Sequence, residues 1–578
     1  MATKSPNNHL PTRRSVLLGI GATASTLAAF GEEPQRARKK TESLPVPVVS
    51  LINILRQPDS IRVFTENGEL VSLSNHGKEW SSKGVLIMCA PDETSAPLTL
   101  HAPNIPLTRI HLRWRAAVKP DLLILGDAWE RSYGDLGWQQ IVPERPLPWY
   151  FCTFDGTSLH GYGVATGASA LAFWQCDADG ISLWLDVRNG GKGVLLGDRK
   201  LSLATIIVHQ GWEEETPFQG LQAFCKSMCS KPRLPSESIY GSNDWYYAYG
   251  ENSAEGILRD AALMGELAKG LGPRPFTVID DGWQDPQKFP DMAGLALRIR
   301  DYGVRPGLWI RPLQANHEAN RTLLLPGQRF AHSIEQEGAP AYDPTIPEAL
   351  DHALAKVRQA VDWKYDLVKH DFSTYELLGQ WGNDMVASPM QSGWSFHDRS
   401  KTTAEIIREF YVAIRKAAGE QTILVGCNVV GHLSAGLFEA QRIGDDVSGK
   451  DWERTRRMGV NSLAFRMPQH KSFFAADADC IPVTHAVPWE LTKEWLKLVA
   501  ESGTVLLVSP DPKAMGPEQK QAIREAFAIA STGGSKSFPA DWLEARTPAI
   551  WQSSLPGKTA LKTRYRWLAS EGASPFQV

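Results

Sequence analysis

The chain carries no surplus charge of either sign. Its 61 Lys and Arg against 64 Asp and Glu leave a formal net charge of −3 over 578 residues. That balance gives no electrostatic footprint for nucleic acid or for an anionic membrane. Beyond residue 30 no apolar run is long enough to span a bilayer. There is no His-x-His and no His-Glu-x-x-His, so no metal site is expected. No phosphate loop, dinucleotide fingerprint or Gly-x-Ser-x-Gly elbow stands in a strand–turn–helix context, and no cofactor is expected. Cysteine is sparse and odd in number: Cys89, Cys152, Cys176, Cys225, Cys229, Cys427 and Cys480. At least one is unpaired within the chain. Cys225 and Cys229 share a helix face without a second pair at zinc spacing, which reads as packing.

What is abundant is tryptophan, 20 residues of it. Such a number suits a protein that stacks sugar faces as well as packing sheets. The N-terminus has its own character. Arg13-Arg14 precede the short apolar run Ser15 to Phe30. The pattern Thr12-Arg13-Arg14-Ser15-Val16-Leu17-Leu18 resembles a twin-arginine export signal, too short for a transmembrane helix. Residues 1–30 are therefore expected to be a signal peptide, and the polar, basic 31–45 a linker. A protein folded before export has met a reducing compartment, which argues against disulfides.

From 46 to 235 the pattern is of short strands bounded by Gly, Asp, Asn and Pro, such as Ile61 to Thr65, Leu98 to His101, Ile110 to Trp114, Leu171 to Trp174 and Ile181 to Val187. This predicts an N-terminal β-sandwich. From 236 to 531 strand and helix alternate. Strands are predicted at 239–245, 276–280, 305–311, 365–371, 422–427, 440–445, 461–467 and 504–509. The clearest helices are 254–270, 347–363, 403–418, 489–501 and 517–530. Eight strands with interposed helices predict an α/β (β/α)8 TIM barrel. Residues 532–578 read as a short C-terminal β-rich segment.

Acids at the carboxyl ends of barrel strands read as catalytic, because the active site is built on that face. Three such clusters stand out: Asp280-Asp281-Gly282-Trp283, Lys369-His370-Asp371 and Arg442-Ile443-Gly444-Asp445-Asp446. Lys369 and Asp371 share one strand face. A lysine beside Asp371 would keep it ionised, as a nucleophile requires, unless the two are a buried structural ion pair. Of Asp445 and Asp446, one can face the pocket while the other turns away. Two adjacent acids raise at least one pKa, which suits a general acid; a helix cap or a surface pair is the plainer reading. Asp280 and Asp281 can accept hydrogen bonds from sugar hydroxyls. Trp245 and Trp283 are stacking candidates. Cys427 and Asn428, ending the fifth strand, are given a pocket-lining role.

With these residues in view the chain resembles glycoside hydrolase family 36, α-galactosidases and raffinose synthase-like enzymes related to family 27. The motifs carrying the resemblance are Ile279 to Gln284, Gly307-Leu-Trp-Ile-Arg-Pro312, Lys369-His370-Asp371 and Arg442 to Asp446. The segment Gly126 to Gly134 is similar to a loop of the family's β-domain. The likeness spans roughly 120–510. It implies Asp371 as nucleophile and Asp445 as acid/base, with Asp446 in reserve. It also implies Asp280 and Asp281 on the sugar hydroxyls, Lys369 beside the nucleophile, and Arg311, Arg442, Cys427 and Asn428 around the pocket. Three features depart from the family: Arg311 where many microbial members have an acid, the loop Cys427-Asn-Val-Val-Gly-His432, and a shortened C-terminal β-region. The expected function is an exported retaining α-glycosidase, foremost an α-galactosidase, acting on an oligosaccharide or glycoconjugate in the periplasm or outside the cell. The alternatives are an α-N-acetylgalactosaminidase, a transglycosylase, or a non-catalytic carbohydrate-binding protein. A homo-oligomer stays open.

Overall fold

A computed structural model describes residues 48–316, 318–330 and 340–574. The export signal and linker read from residues 1–45 lie outside the described residues. Among the described residues, the first part of the chain builds antiparallel sheets of eight and six strands. The expected strands are present, somewhat longer: Ser60–Thr65, Ser95–His101, Leu107–Arg115, Leu171–Asp177 and Gly180–Asp186. Alternation selects the inner face. In Ser60–Thr65, Ile61, Val63 and Thr65 are buried while their neighbours are half-buried. Trp114 and Trp174 are fully buried between the sheets. A helix, Pro217–Met228, is capped by a reciprocal Thr216–Gln219 box and packs on strand Leu159–Val164. Gly161 makes that contact close, since a Cβ there would meet the Phe224 ring at 2.5 Å.

The second part is a parallel barrel. Its strands are β1 (Tyr240–Asn243), β2 (Phe276–Ile279), β3 (Arg305–Ile310), β4 (Leu367–His370), β5 (Ile423–Gly426), β6 (Ala440–Arg442), β7 (Ala475–Asp477) and β8 (Leu506–Pro510). Neighbours pair in chain order, β8 pairs with β1, and a parallel bridge from Asp477 to Val505 joins β7 to β8. One extra strand, Ile481–Val483, pairs with the far end of β8. Val278, Leu367, Val425, Ala440, Ala475 and Leu507 fill the interior. Among the described residues no helix is long and apolar enough to cross a membrane.

The helices follow the 3.6-residue pattern where it is strong. Ala254–Leu267, Pro347–Asp362, Thr403–Ala418, Trp489–Ser502 and Pro517–Ala530 fall within a few residues of expectation. The seventh strand does not. Asn461 to Met467 is helical: a π-turn at Arg456–Asn461 runs into a helix at Ser462–Arg466. Every residue from Asn461 to Met467 is buried, and a short, wholly buried apolar run has no periodicity to separate helix from strand. Strand β6 also stops at Arg442, three residues short, so Asp445 and Asp446 sit on the segment beyond it. After the barrel, Lys536–Pro539, Ile550–Ser554 and Leu561–Arg564 form a small antiparallel sheet. It rests on helix Trp489–Ser502, where Ser553 and Tyr565 hydroxyls both donate to Glu501.

The sandwich reaches the barrel mouth through the 126–134 loop. Ser132 bridges Gly444 in parallel, with Ser132 N donating to Ile443 O at 2.9 Å and Asp445 N to Ser132 O at 2.8 Å. Asp127 fixes the base of the loop through both guanidinium arms of buried Arg466, at 2.8 and 3.1 Å. Gly134 lets the chain turn away: its φ is +72°, and a Cβ would lie 2.8 Å from Arg457 O.

Candidate active site

The carboxyl ends of the barrel strands bring the acid clusters together. Asp371 directly follows β4 and is held by three donors. Trp309 Nε1 donates to Oδ2 at 3.0 Å; the amides of Phe372 and Asn428 donate to Oδ1 at 2.7 and 3.0 Å. Phe372 has φ +65°. This left-handed turn of a bulky residue aims its amide back at the carboxylate, the kind of strain that gathers at functional sites.

Lys369 does not pair with Asp371 as the sequence suggested. Its Nζ lies 2.7 Å from Asp280 Oδ2, and both side chains are almost wholly buried. Burial opposes the lysine's charge, but the Asp280 carboxylate beside it outweighs that and holds its pKa well above the usual value. Asn243 Nδ2 adds a second donor to the same oxygen at 2.8 Å. Asp281 is half-buried; burial raises its pKa, although Gln284 and the Gly282 amide donate to it. Arg311 pairs with Glu376 at 2.6 Å and lies over the Phe372 ring. Its charge reaches Asp281.

The adjacent acids divide. Asp445 is gripped by two guanidiniums, Arg131 at 2.9 Å and Arg454 at 2.8 Å, and its side chain is 14% exposed. Asp446 is the open one, 42% exposed, with Arg442 at 3.0 Å and Arg131 at 3.3 Å. A raised pKa was expected of this pair. For Asp446 the outcome is the reverse: burial pushes it up, but Arg131, Arg442, Lys369 and Arg454 together hold it well below the carboxylate range. The guanidiniums decide the sign, and the sequence did not show Arg131 among them.

Three further expectations need correction. Trp283 is no platform in the mouth. Its Nε1 donates to Trp309 O at 2.8 Å and its ring meets Trp363 edge-on at 5.8 Å, in the barrel wall. Asn428 is fully buried, its side chain donating to Glu130 and accepting from Tyr375 N. Cys427 is buried against Arg442, with burial and Asp371 keeping its thiol protonated. Both residues support the site from behind. Trp245 remains half-buried at the mouth, against Tyr249. All seven cysteines are free and buried.

Sequence reasoning missed several residues. Arg131 and Trp309 lay inside quoted motifs but had no assigned role. Asp479, hidden by the misplaced seventh strand, sits 2.8 Å from Arg442 and receives the Tyr246 hydroxyl. Asp244 accepts from Asp280 N at 2.7 Å; burial, then the charge of Asp280, push its pKa to about 7.

This fold recurs among solved structures. An α-galactosidase from Thermus thermophilus, in complex with p-nitrophenyl α-D-galactopyranoside, superposes with a TM-score of 0.54 at 19% identity, covering 82% of this chain and 95% of that one. The family 36 α-galactosidase AgaA from Geobacillus stearothermophilus, in complex with 1-deoxygalactonojirimycin, gives 0.56 at 14%, covering 87% and 80%. The galactosidase domain of the α-galactosidase–sucrose kinase AgaSK gives 0.54 at 15%, covering 92% and 84%. At these identities the likeness establishes the fold, a TIM-like barrel preceded by a β-sandwich. No protein-family model matches the chain.

Proposed function

We propose that the protein is a retaining α-glycosidase acting on terminal α-galactosides by double displacement. The observation that carries this reading is Asp371, a strand-end carboxylate fixed by three donors, with a second, open carboxylate, Asp446, tied to the same strand ends through Arg442. The link is short. Arg442 touches both Asp446 and Cys427 Sγ, and the next residue, Asn428, gives its amide to Asp371. Two carboxylates of unequal surroundings are what retaining hydrolysis needs.

Asp371 is the nucleophile. Of the two acids beyond β6, Asp446 suits acid/base work, because Asp445 has both oxygens engaged by arginines. The guanidiniums favour the ionised form of Asp446, the base form that activates water in the second half-reaction. The first half-reaction needs its proton. A bound sugar would bury this exposed carboxylate, which raises its pKa. Asp280 and Asp281 accept from the sugar hydroxyls, with Lys369 beside them. That solved structures of this fold include α-galactosidases bound to a nitrophenyl galactoside and to stachyose supports galactose as the sugar. The side chains that would flank an acetamido group are spoken for: His432 bonds Val164 O and stacks on Trp149, and Asn428 is engaged as above. This favours galactose over N-acetylgalactosamine. Export to the periplasm or beyond is part of the proposal and rests on the Arg13-Arg14 segment alone.

The test is hydrolysis of p-nitrophenyl α-galactoside by the mature protein, with Asp371→Ala and the α-glucoside and α-N-acetylgalactosaminide analogues beside it. Turnover of the galactoside that vanishes in the variant is expected. Silence of the wild type on all three would overturn the reading. Export is checked separately by fractionating cells that carry Arg13→Lys with Arg14→Lys, which should retain the protein inside.

A further inference from the structure

We propose that a groove between the six-stranded sheet and the segment after β4 binds a sugar ring of the oligosaccharide substrate beyond the galactose that is cleaved. The inference rests on the glycosidase reading. The groove is an open depression of about 550 Å³, lined by Arg109, Phe173, Trp184, Asp384, Val386 and Gln391 among others, a size suited to a small ligand.

Its floor is the half-buried Trp184 indole on the outward face of the sandwich, backed by the buried Phe173 ring. Phe173 and Trp184 are register partners on adjacent strands. Their rings lie 6.0 Å apart and within 8° of parallel. The indole is fixed in place: His111 stacks on it at 4.2 Å, and its Nε1 donates to Gln175 Oε1 at 2.8 Å. It remains half-buried, so part of the ring is open. The opposite face of the same strands supplies the sandwich core through Trp174 and Leu183; on this face Phe173 is buried against Trp129, and Trp184 is the ring left partly open. A rigid aromatic plane beside arginine, amide and carboxylate side chains matches a sugar ring, which offers an apolar face and hydroxyl edges.

The wall of the groove is the segment that follows β4. The chain that forms it leaves β4 at Asp371 and reaches the sheet at 384–391. At the lip, Val386 has φ +41° and is 59% exposed. A β-branched residue in that conformation is a true outlier, and such strain persists where the surroundings impose it, often at ligand clamps. Here Trp129 Nε1 donates to Val386 O at 2.8 Å. Trp129 directly precedes Glu130 and Arg131, the residues that engage Asn428 and the two acids. The lip is thus pinned by the loop that organises the active site.

The experiment compares wild type, Trp184→Ala and Trp184→Phe on p-nitrophenyl α-galactoside and on stachyose, with thermal unfolding to check integrity. Trp184→Ala should lower kcat/KM on stachyose about 3- to 10-fold and leave the nitrophenyl substrate within about two-fold, and Phe should restore part of the loss. Unchanged values on stachyose, or equal losses on both substrates, would overturn the proposal. If Trp184→Ala does not fold, Gln391→Ala at the rim must show the same selective loss. If wild type turns over neither substrate, the glycosidase reading fails by itself. Calorimetric titration of stachyose into wild type and Trp184→Ala then decides the groove, equal affinity or no binding to either protein refuting it.

Discussion

Replacing Lys369 by methionine tests how Asp280, proposed to hold the sugar, is kept in place. The lysine and Asp280 are 2.7 Å apart, with side-chain exposures of 10% and 5%. At an effective dielectric constant of about 20 the gross attraction is about 6 kcal/mol, much of it offset by desolvation. Breaking a buried pair by removing one partner leaves a naked charge and costs about 3–5 kcal/mol. Asn243 Nδ2 and Asp281 N still donate to the stranded carboxylate, but neither carries charge, and the neighbouring Asp244, which accepts from Asp280 N, is acidic. For a barrel of roughly 300 residues unfolding as a unit, that loss corresponds to a melting point lower by about 5–8 °C. The assay is thermal and urea unfolding of wild type, Lys369→Met, Asp280→Asn and the double variant. Removing both charges should recover much of the stability lost in either single variant, giving a large coupling energy, while activity stays lost in all three. A Lys369→Met variant destabilised by less than about 1 kcal/mol, with additive effects in the double, would refute the pairing as the source of order here.

Three further outcomes follow from the site. Trp309→Phe keeps the ring but removes the donor at 3.0 Å from Asp371; a hydrogen bond to a charged group is worth about 1.5–3 kcal/mol, so kcat/KM should fall about 10- to 100-fold in steady-state assays. Asp446→Asn should cost about 100-fold or more on stachyose, whose leaving group needs protonation, and far less on the nitrophenyl substrate. Asp445→Asn should show no such contrast and should appear instead as a lower melting point, and equal leaving-group dependence in the two variants would count against Asp446. Asp244 and Asp260 both have pKa values pushed to about 7, burial being the main cause. Between pH about 4 and 7 the folded protein holds these protons while the unfolded chain has released them, so stability falls as pH rises through that window. Asp260→Asn should flatten the fall measured by urea unfolding across that range.

Much of the architecture was legible because the barrel's strands are continuous apolar runs separated by strongly amphipathic helices. Helices Thr403–Ala418 and Pro517–Ala530 match expectation at both ends, each with a capping box or proline at its start. Strand β7 was not legible. Ala475 to Asp477 is only three residues, while the decoy Asn461 to Met467 is longer and more apolar. That error hid Asp479. The strand-end acids were visible in their motifs, but their partners were not. Lys369 is two residues from Asp371, yet it pairs with Asp280, which follows β2 two strands away. Arg131 lies more than 300 positions from the acids it binds. Nothing local in either segment announces that contact, which the fold makes by laying Ser132 beside Gly444. The tryptophans show the same limit: composition pointed to sugar stacking, yet Trp283 is wall packing and Trp309 is a hydrogen-bond donor.

The most direct test of the central claim is the anomeric form of the galactose first released from an α-galactoside, followed by proton NMR in the first minutes, before mutarotation. Double displacement through Asp371 predicts the α-anomer, accumulating first and only later equilibrating. Initial release of the β-anomer would contradict the covalent mechanism.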